Sequence, residues 1–265
     1  MTKQKLSANF KLQLFHAMKT KLKFLFVALV AMSATALFIS FKTTAIDGKD
    51  LKGAWEYGPA NNHTVMINTD RVFSVATFDG PGKKFISSYG GTWRVDGNKL
   101  IQKIEWNSKE PEQVGKEITT DATLAGTKLT VTQTKETWNK VGDGKPDDLT
   151  GAWIITGNYT NDKVSKRPAS FFPRRTMKVL AGSRFHWIAY NVEAKQFINA
   201  GGGSYSAKDG KYTEQVEFFT KTPESVGKTL NFQYSFVDGD WRHRGEKSTG
   251  GPLDECWTKR EMLEK

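Results

Sequence analysis

Cysteine is nearly absent from this chain. One residue, Cys256, stands in 265, so no disulfide can form within the chain and the fold must hold by its core. Flanked by Glu255 and Trp257, it reads as a small apolar packer, with Glu255 disfavouring a thiolate. Histidine is scarce, at four residues: His16, His63, His186 and His243. No His/Glu pair has the helical spacing of a zinc site, so neither a metal nor a cofactor is implied. Gly201-Gly202-Gly203 is followed by no Gly-Lys-Ser/Thr and precedes a strand, which excludes a phosphate loop. No stretch has the periodicity of an amphipathic helix. Acidic residues are missing from positions 1–45, which hold seven lysines. Without those seven, the formal charge of +11 falls to +4. A nucleic-acid partner needs a basic face on the folded part, so that class is set aside.

What the N-terminus does have is an address. Met18-Lys-Thr-Lys-Leu-Lys is a basic start, Phe24 to Phe41 is an apolar run, and Thr43-Thr44-Ala45 supplies small residues for a peptidase. Residues 1–45 therefore read as a signal peptide, with Met18 as an alternative start and Ile46 as the first mature residue. An uncleaved inner-membrane anchor is the alternative, and the only membrane contact foreseen. The expected location is exported, periplasmic or secreted.

The mature chain repeats itself. Residues 83–118 recur at 195–230 with a constant offset of 112 and no gap, and thirteen positions are identical, from Lys83 and Lys195 to Lys116 and Lys228. Self-similarity this long means one structural unit built twice. Leu51-Lys-Gly-Ala-Trp55 and Leu149-Thr-Gly-Ala-Trp153 head the two copies. Each copy reads as short strands with turn residues between them, Asp96-Gly97-Asn98 being the strongest hairpin signal. Gly90-Gly91 predicts a bulge or sharp bend within its strand. The boundaries follow: a first barrel at 49–140, a Gly/Pro/charge-rich linker at 141–148, and a second barrel at 149–265. Copy two holds fourteen extra residues near Gly157–Pro173, a basic insert.

Gly-x-Trp on the first strand, antiparallel hairpins and a basic residue near the last strand's end resemble the calycin superfamily, the lipocalins and their relatives. Gly203-Ser-Tyr205, Tyr212-Thr-Glu214, Gly227-Lys228 and Trp257-Thr-Lys259-Arg260 are similar to the small lipocalin-like domains of uncharacterised exported proteins, often found in Bacteroidetes. The resemblance covers nearly all of 149–265 and, more loosely, 51–140. It implies an all-β chain of two tandem antiparallel lipocalin-like barrels. It also implies that Trp55 lies under Lys140, and Trp153 under Lys259 or Arg260, closing one end of each barrel.

Strand alternation assigns the faces. Tyr212, Glu214, Val216 and Phe218 share one face, as do Leu100, Gln102, Ile104 and Trp106, and this more apolar face is expected to point inward. Phe185, Trp187, Tyr205, Trp241 and His243 are expected inside as well. The ligand-binding candidates are therefore Phe185, Trp187, Tyr205, Tyr212, Glu214, Phe218, Trp241 and His243. Apolar walls with a few placed polar groups suit a small apolar or amphipathic molecule. The insert offers Arg167, Phe171, Phe172 and Arg174 as an entrance loop that would favour an anionic head group. The bland alternatives are that Glu214 and His243 satisfy each other and that both barrels are solid interaction modules. A barrel-type cyclase or isomerase using that pair is the remaining catalytic reading, and no catalytic residue is assigned.

Overall fold

The structure, a computed structural model, describes residues 45–142, 145–167 and 172–264. The leader expected at 1–45 lies outside them except for Ala45, and so does Phe171. Among the described residues no helix is long and apolar enough to cross a membrane.

The described chain is almost entirely antiparallel strand. A four-residue helix, α1 (Gly48–Leu51), leads into β1 (Gly53–Tyr57), β2 (His63–Asn68), β3 (Val72–Asp79), β4 (Lys84–Asp96), β5 (Lys99–Asn107), β6 (Glu117–Ala125), β7 (Lys128–Val131) and β8 (Glu136–Val141). Each strand pairs with the next, and β8 returns to β1 through Ala54–Val141 and Trp55–Lys140, closing barrel 1. The second copy runs β9 (Gly151–Thr160), β10 (Lys163–Lys166), β11 (Arg174–Ala181), β12 (Arg184–Asn191), β13 (Gln196–Lys208), β14 (Lys211–Phe219), β15 (Thr229–Val237), β16 (Asp240–Glu246) and β17 (Pro252–Lys259), then α2 (Arg260–Leu263). Here β17 closes on β9, and β10 is an added hairpin arm on β9. The fold is thus two closed antiparallel eight-stranded barrels in tandem, as the repeat predicts.

Local chemistry explains the hairpins. β13 and β14 meet at Asp209-Gly210, where both residues have positive φ (51° and 74°), the geometry of the two-residue turn that matches strand twist. The glycine pairs act differently. In β4 the pairing with β5 shifts between Gly90 and Gly91, so that Gly90 faces Trp106, Gly91 faces Ile104, and Glu105 is left as the extra residue. β13 and β14 repeat this at Gly202 and Gly203, with Glu217 extra. A side chain at Gly90 or Gly202 would strike the Trp106 or Phe218 ring respectively, so glycine lets those rings lie against the strand.

The bulges correct the assignment of faces. One extra residue reverses the alternation beyond it. Val216 and Ile104 do face their barrel interiors, but Phe218 and Trp106 turn outward.

They turn into a third core, between the barrels. The described residues form one compact unit. The outer faces of β2 and β3 (Val65, Ile67, Val72, Ala76, Phe78) pack on those of β11 and β12 (Met177, Val179, Ala181, Ile188, Tyr190), with Trp106 and Phe218 among them. The contacts pair residues around an internal two-fold. Phe85 stacks on Phe197 at 5.6 Å, and Ser74 Oγ lies 2.9 Å from His186 Nδ1, each pair being 112 apart. Phe78 stacks on Phe218 (5.0 Å), and the reciprocal pair, Tyr190 with Trp106, is at 4.9 Å. This is the self-complementary geometry of an isologous interface, made within one chain.

The bulge carboxylates anchor the same join. Glu105 of barrel 1 accepts from Arg260 (2.5 and 3.0 Å), Arg175 (3.0 Å) and the Tyr190 hydroxyl (2.7 Å). Burial opposes its ionisation, yet Arg260 first, then Arg175 and Tyr190, hold it below the usual carboxylate range. Glu217 takes Arg184 at 2.5 Å, and Arg184 also reaches Glu56 of barrel 1 at 3.1 Å.

Candidate functional site

Each barrel buries the indole of its Gly-Ala-Trp motif. Trp55 and Trp153 are fully buried and donate from Nε1 to Leu51 O and Leu149 O, both at 2.8 Å. Lys140 Nζ stands 5.2 Å from the Trp55 ring and Lys259 Nζ 5.4 Å from the Trp153 ring. Arg260 does not share this role. It leaves barrel 2 for Glu105, because α2 begins at Arg260 and swings the side chain towards the join.

Barrel 2 opens into a cavity of about 420 Å³. Phe185, Trp187, Val216, Phe219, Leu230, Phe232 and Trp257 give it apolar walls, and Lys178, Glu214, His243 and Glu255 supply its polar groups. The mouth is formed by Lys221–Ser225 after β14 and by the loop from Lys247 into β17. Of the sequence candidates, Phe185, Trp187, Glu214 and His243 line this space. Tyr205, Tyr212 and Trp241 are inside the barrel but packed in its core with Trp153. Phe218 belongs to the join, as the bulge requires.

The entrance loop is a second correction. Arg167, Phe172 and Arg174 do not line the cavity. The insert instead folds β10 back along β9 and lies on the outside of β16 and β17. Arg242 fixes it there, stacking on Tyr159 (4.3 Å) and bonding Asp162 (2.7 Å), while Lys166 pairs with Asp240. Arg174 opens β11 as an exposed residue paired with Asn191. Cys256 is buried beneath this arm, and burial first of all pushes its thiol up.

Lys178 is the residue that sequence reasoning missed. It is 5% exposed and its Nζ lies 2.6 Å from Glu214 Oε1, which also accepts from the Tyr212 hydroxyl at 2.8 Å. Four rings surround the ammonium, Tyr212 (5.0 Å), Trp241 (5.3 Å), Phe232 (5.6 Å) and Trp257 (5.6 Å), close enough for cation–π attraction. Glu214 and His243 therefore do not bond each other. His243 Nδ1 is 3.4 Å from Glu255 Oε2, which also accepts from Trp257 Nε1 at 3.0 Å. Burial first, then Lys178, holds His243 well below its ordinary range, so the ring is neutral. Its Nε2 is buried and has no hydrogen-bond partner. Among the described residues no group of three His, Cys, Asp or Glu is placed to hold a metal ion.

At the matching positions barrel 1 keeps one of these charged groups, Glu136, which stands where barrel 2 has Glu255 and accepts from the Tyr57 hydroxyl at 2.8 Å. Trp153 faces Lys178 across β9 and β11, whereas Trp55 faces Met66. Glu214 and His243 correspond to Gln102 and Val131. Gly201, flanked by Trp187 and Phe219, corresponds to Tyr89, flanked by Val75 and Asn107. Tyr89 packs on Phe73 at 6.0 Å and fills the space that Gly201 leaves open.

Residues 148–265 match the family model described as "Domain of unknown function (DUF4488)". Barrel 2, with its whole cavity, is thus similar to DUF4488, while barrel 1 lies outside the match. No curated protein matches the chain. A signal for Lys178 was available: it is a lone charge among Met177, Val179 and Leu180, at the repeat position where copy one has Met66.

Proposed function

We propose that this is an exported, lipocalin-like binding protein that holds a small amphipathic molecule in barrel 2. Barrel 1 is its structural partner. The observation that carries this reading is the difference between two barrels of one design. In one, Tyr89 and an apolar cluster take the place that Gly201 leaves open, with Gln102 and Glu136 as polar groups; the other keeps about 420 Å³ beside Lys178, Glu214, His243 and Glu255. A buried ion pair is costly in a barrel that needs only to be solid, and a packed apolar core is commonly as stable or more so. Barrel 1 shows that the same strands accept such a core. A volume of this size suits one small ligand, with aromatic walls for its apolar body and polar groups to orient it. Export rests on the leader at 1–45, with the barrels at 49–140 and 149–265 as the mature domains joined through 141–148.

The test imports the barrel 1 arrangement. Gly201→Tyr with Phe219→Asn should fill the cavity while keeping the fold. Native mass spectrometry of the purified protein, expressed with its leader in an exporting host, should show a small molecule on the wild type and none on the double variant. A ligand retained equally by both would overturn the assignment to this cavity. Its absence from both, with no binding in a metabolite screen, would favour a solid interaction module.

A further inference from the structure

The polar groups of the cavity are not balanced. Glu214 has Lys178 as a close partner and, with the Tyr212 hydroxyl, is satisfied. Glu255 has no such partner: among the described residues its one ion-pair contact is His243 at 3.4 Å, and that ring is neutral. Its remaining bond is from the Trp257 indole. Burial raises the Glu255 carboxyl above its ordinary range, while Lys178, Trp257 and Lys247 pull it the other way without prevailing. A carboxylate facing a largely apolar cavity without a cation is destabilised until one is supplied. Beside it, the unpartnered Nε2 of His243, a residue 1% exposed, offers a lone pair if Nδ1 carries the ring proton towards Glu255.

Resting on the binding reading above, we propose that the ligand's polar end is an ammonium group that pairs with Glu255. The aromatic walls fit the same head group, since Phe232 and Trp257 line the cavity together with Glu255, and aromatic rings attract a cation. A carboxylate head would instead bring a further negative charge to a site already holding Glu214 and Glu255. Lys178 does not reverse this, because it is committed to Glu214. Lys221 and Lys247 stand exposed at the mouth, where solvent and salt screen them. They slow the approach of a cation more than they weaken it once bound.

The experiment uses the unmodified full chain and three probes that differ only at the head: decylamine, decanol and decanoate, each below its micelle concentration at neutral pH. Binding is read by calorimetry and by the fluorescence of Trp187 and Trp257, which line the cavity. Decylamine is expected to bind at least tenfold tighter than decanoate, with decanol between them. Decanoate or decanol binding as tightly as the amine would overturn the proposal. In Glu255→Gln, whose oxygen can still accept from Trp257, the amine should fall to within about twofold of decanol. A preference for the amine that survives in a folded E255Q protein would also overturn it. If no probe perturbs the cavity tryptophans or gives heat, the binding reading itself fails, and the proposal with it.

Discussion

Lys178 and Glu214 stand or fall together. Each is buried, and each is tolerable only because the other lies 2.6 Å away. Lys178→Met alone installs the barrel 1 residue but leaves Glu214 buried without its cation. Breaking a buried pair from one side costs about 3–5 kcal/mol. Lys178→Met with Glu214→Gln copies Met66 and Gln102 and should recover most of that loss. Urea unfolding of the two variants checks this, and a single variant as stable as the wild type would mean that the pair carries no such strain.

The strands were the most legible elements, because turn residues and alternation are local properties. Asp96-Gly97-Asn98 falls at the β4–β5 hairpin, where the pattern puts it. The failure at Phe218 is instructive. Gly90-Gly91 signals a bulge, but a bulge also reverses every face beyond it, and Glu217 is the residue that does so. Lys178 was hidden for another reason: a lysine inside a barrel contradicts its own hydropathy, and only its partner on β14 explains it. The insert misled because its charge suggested a mouth, whereas Arg242, eighty residues on, decides where it lies. The bulges give a prediction at this scale. A Cβ at Gly203 would collide with the Gln215 carbonyl, and one at Gly91 with that of Lys103. Gly203→Ala should therefore destabilise by about 1–3 kcal/mol, the usual cost of overpacking, and should disturb Phe218 and the join. Thermal melts with near-ultraviolet circular dichroism would report both, and an unchanged aromatic signal would show that the bulge does not set the face of Phe218.

At the scale of the molecule, the join is the part most exposed to acid. His186 is wholly buried there and burial pushes it down to about 3. An unfolded histidine takes up its proton near pH 6.5, so stability falls as pH drops from about 6.5 towards the folded value. Glu105, held low by its arginines, adds a second loss once pH passes below the ordinary carboxylate range. His243 acts in the same direction inside barrel 2. Denaturant melts between pH 7.5 and 4 should show stability declining below about pH 6.5, by a few kcal/mol in total. His186→Phe should flatten the upper part of that decline, and an identical slope in the variant would remove His186 from the account.

The two-fold pairing has a consequence for how such a chain can change. A substitution at Phe85 or Ser74 is met across the axis by its own counterpart, Phe197 or His186, so the outer surfaces of the two copies are answerable to each other. The interiors are not. Covalent linkage keeps the partners at a high local concentration whatever happens inside them. One lumen is thereby free to change while its twin stays as it is, and the difference between Met66 in one copy and Lys178 in the other is a change of that kind.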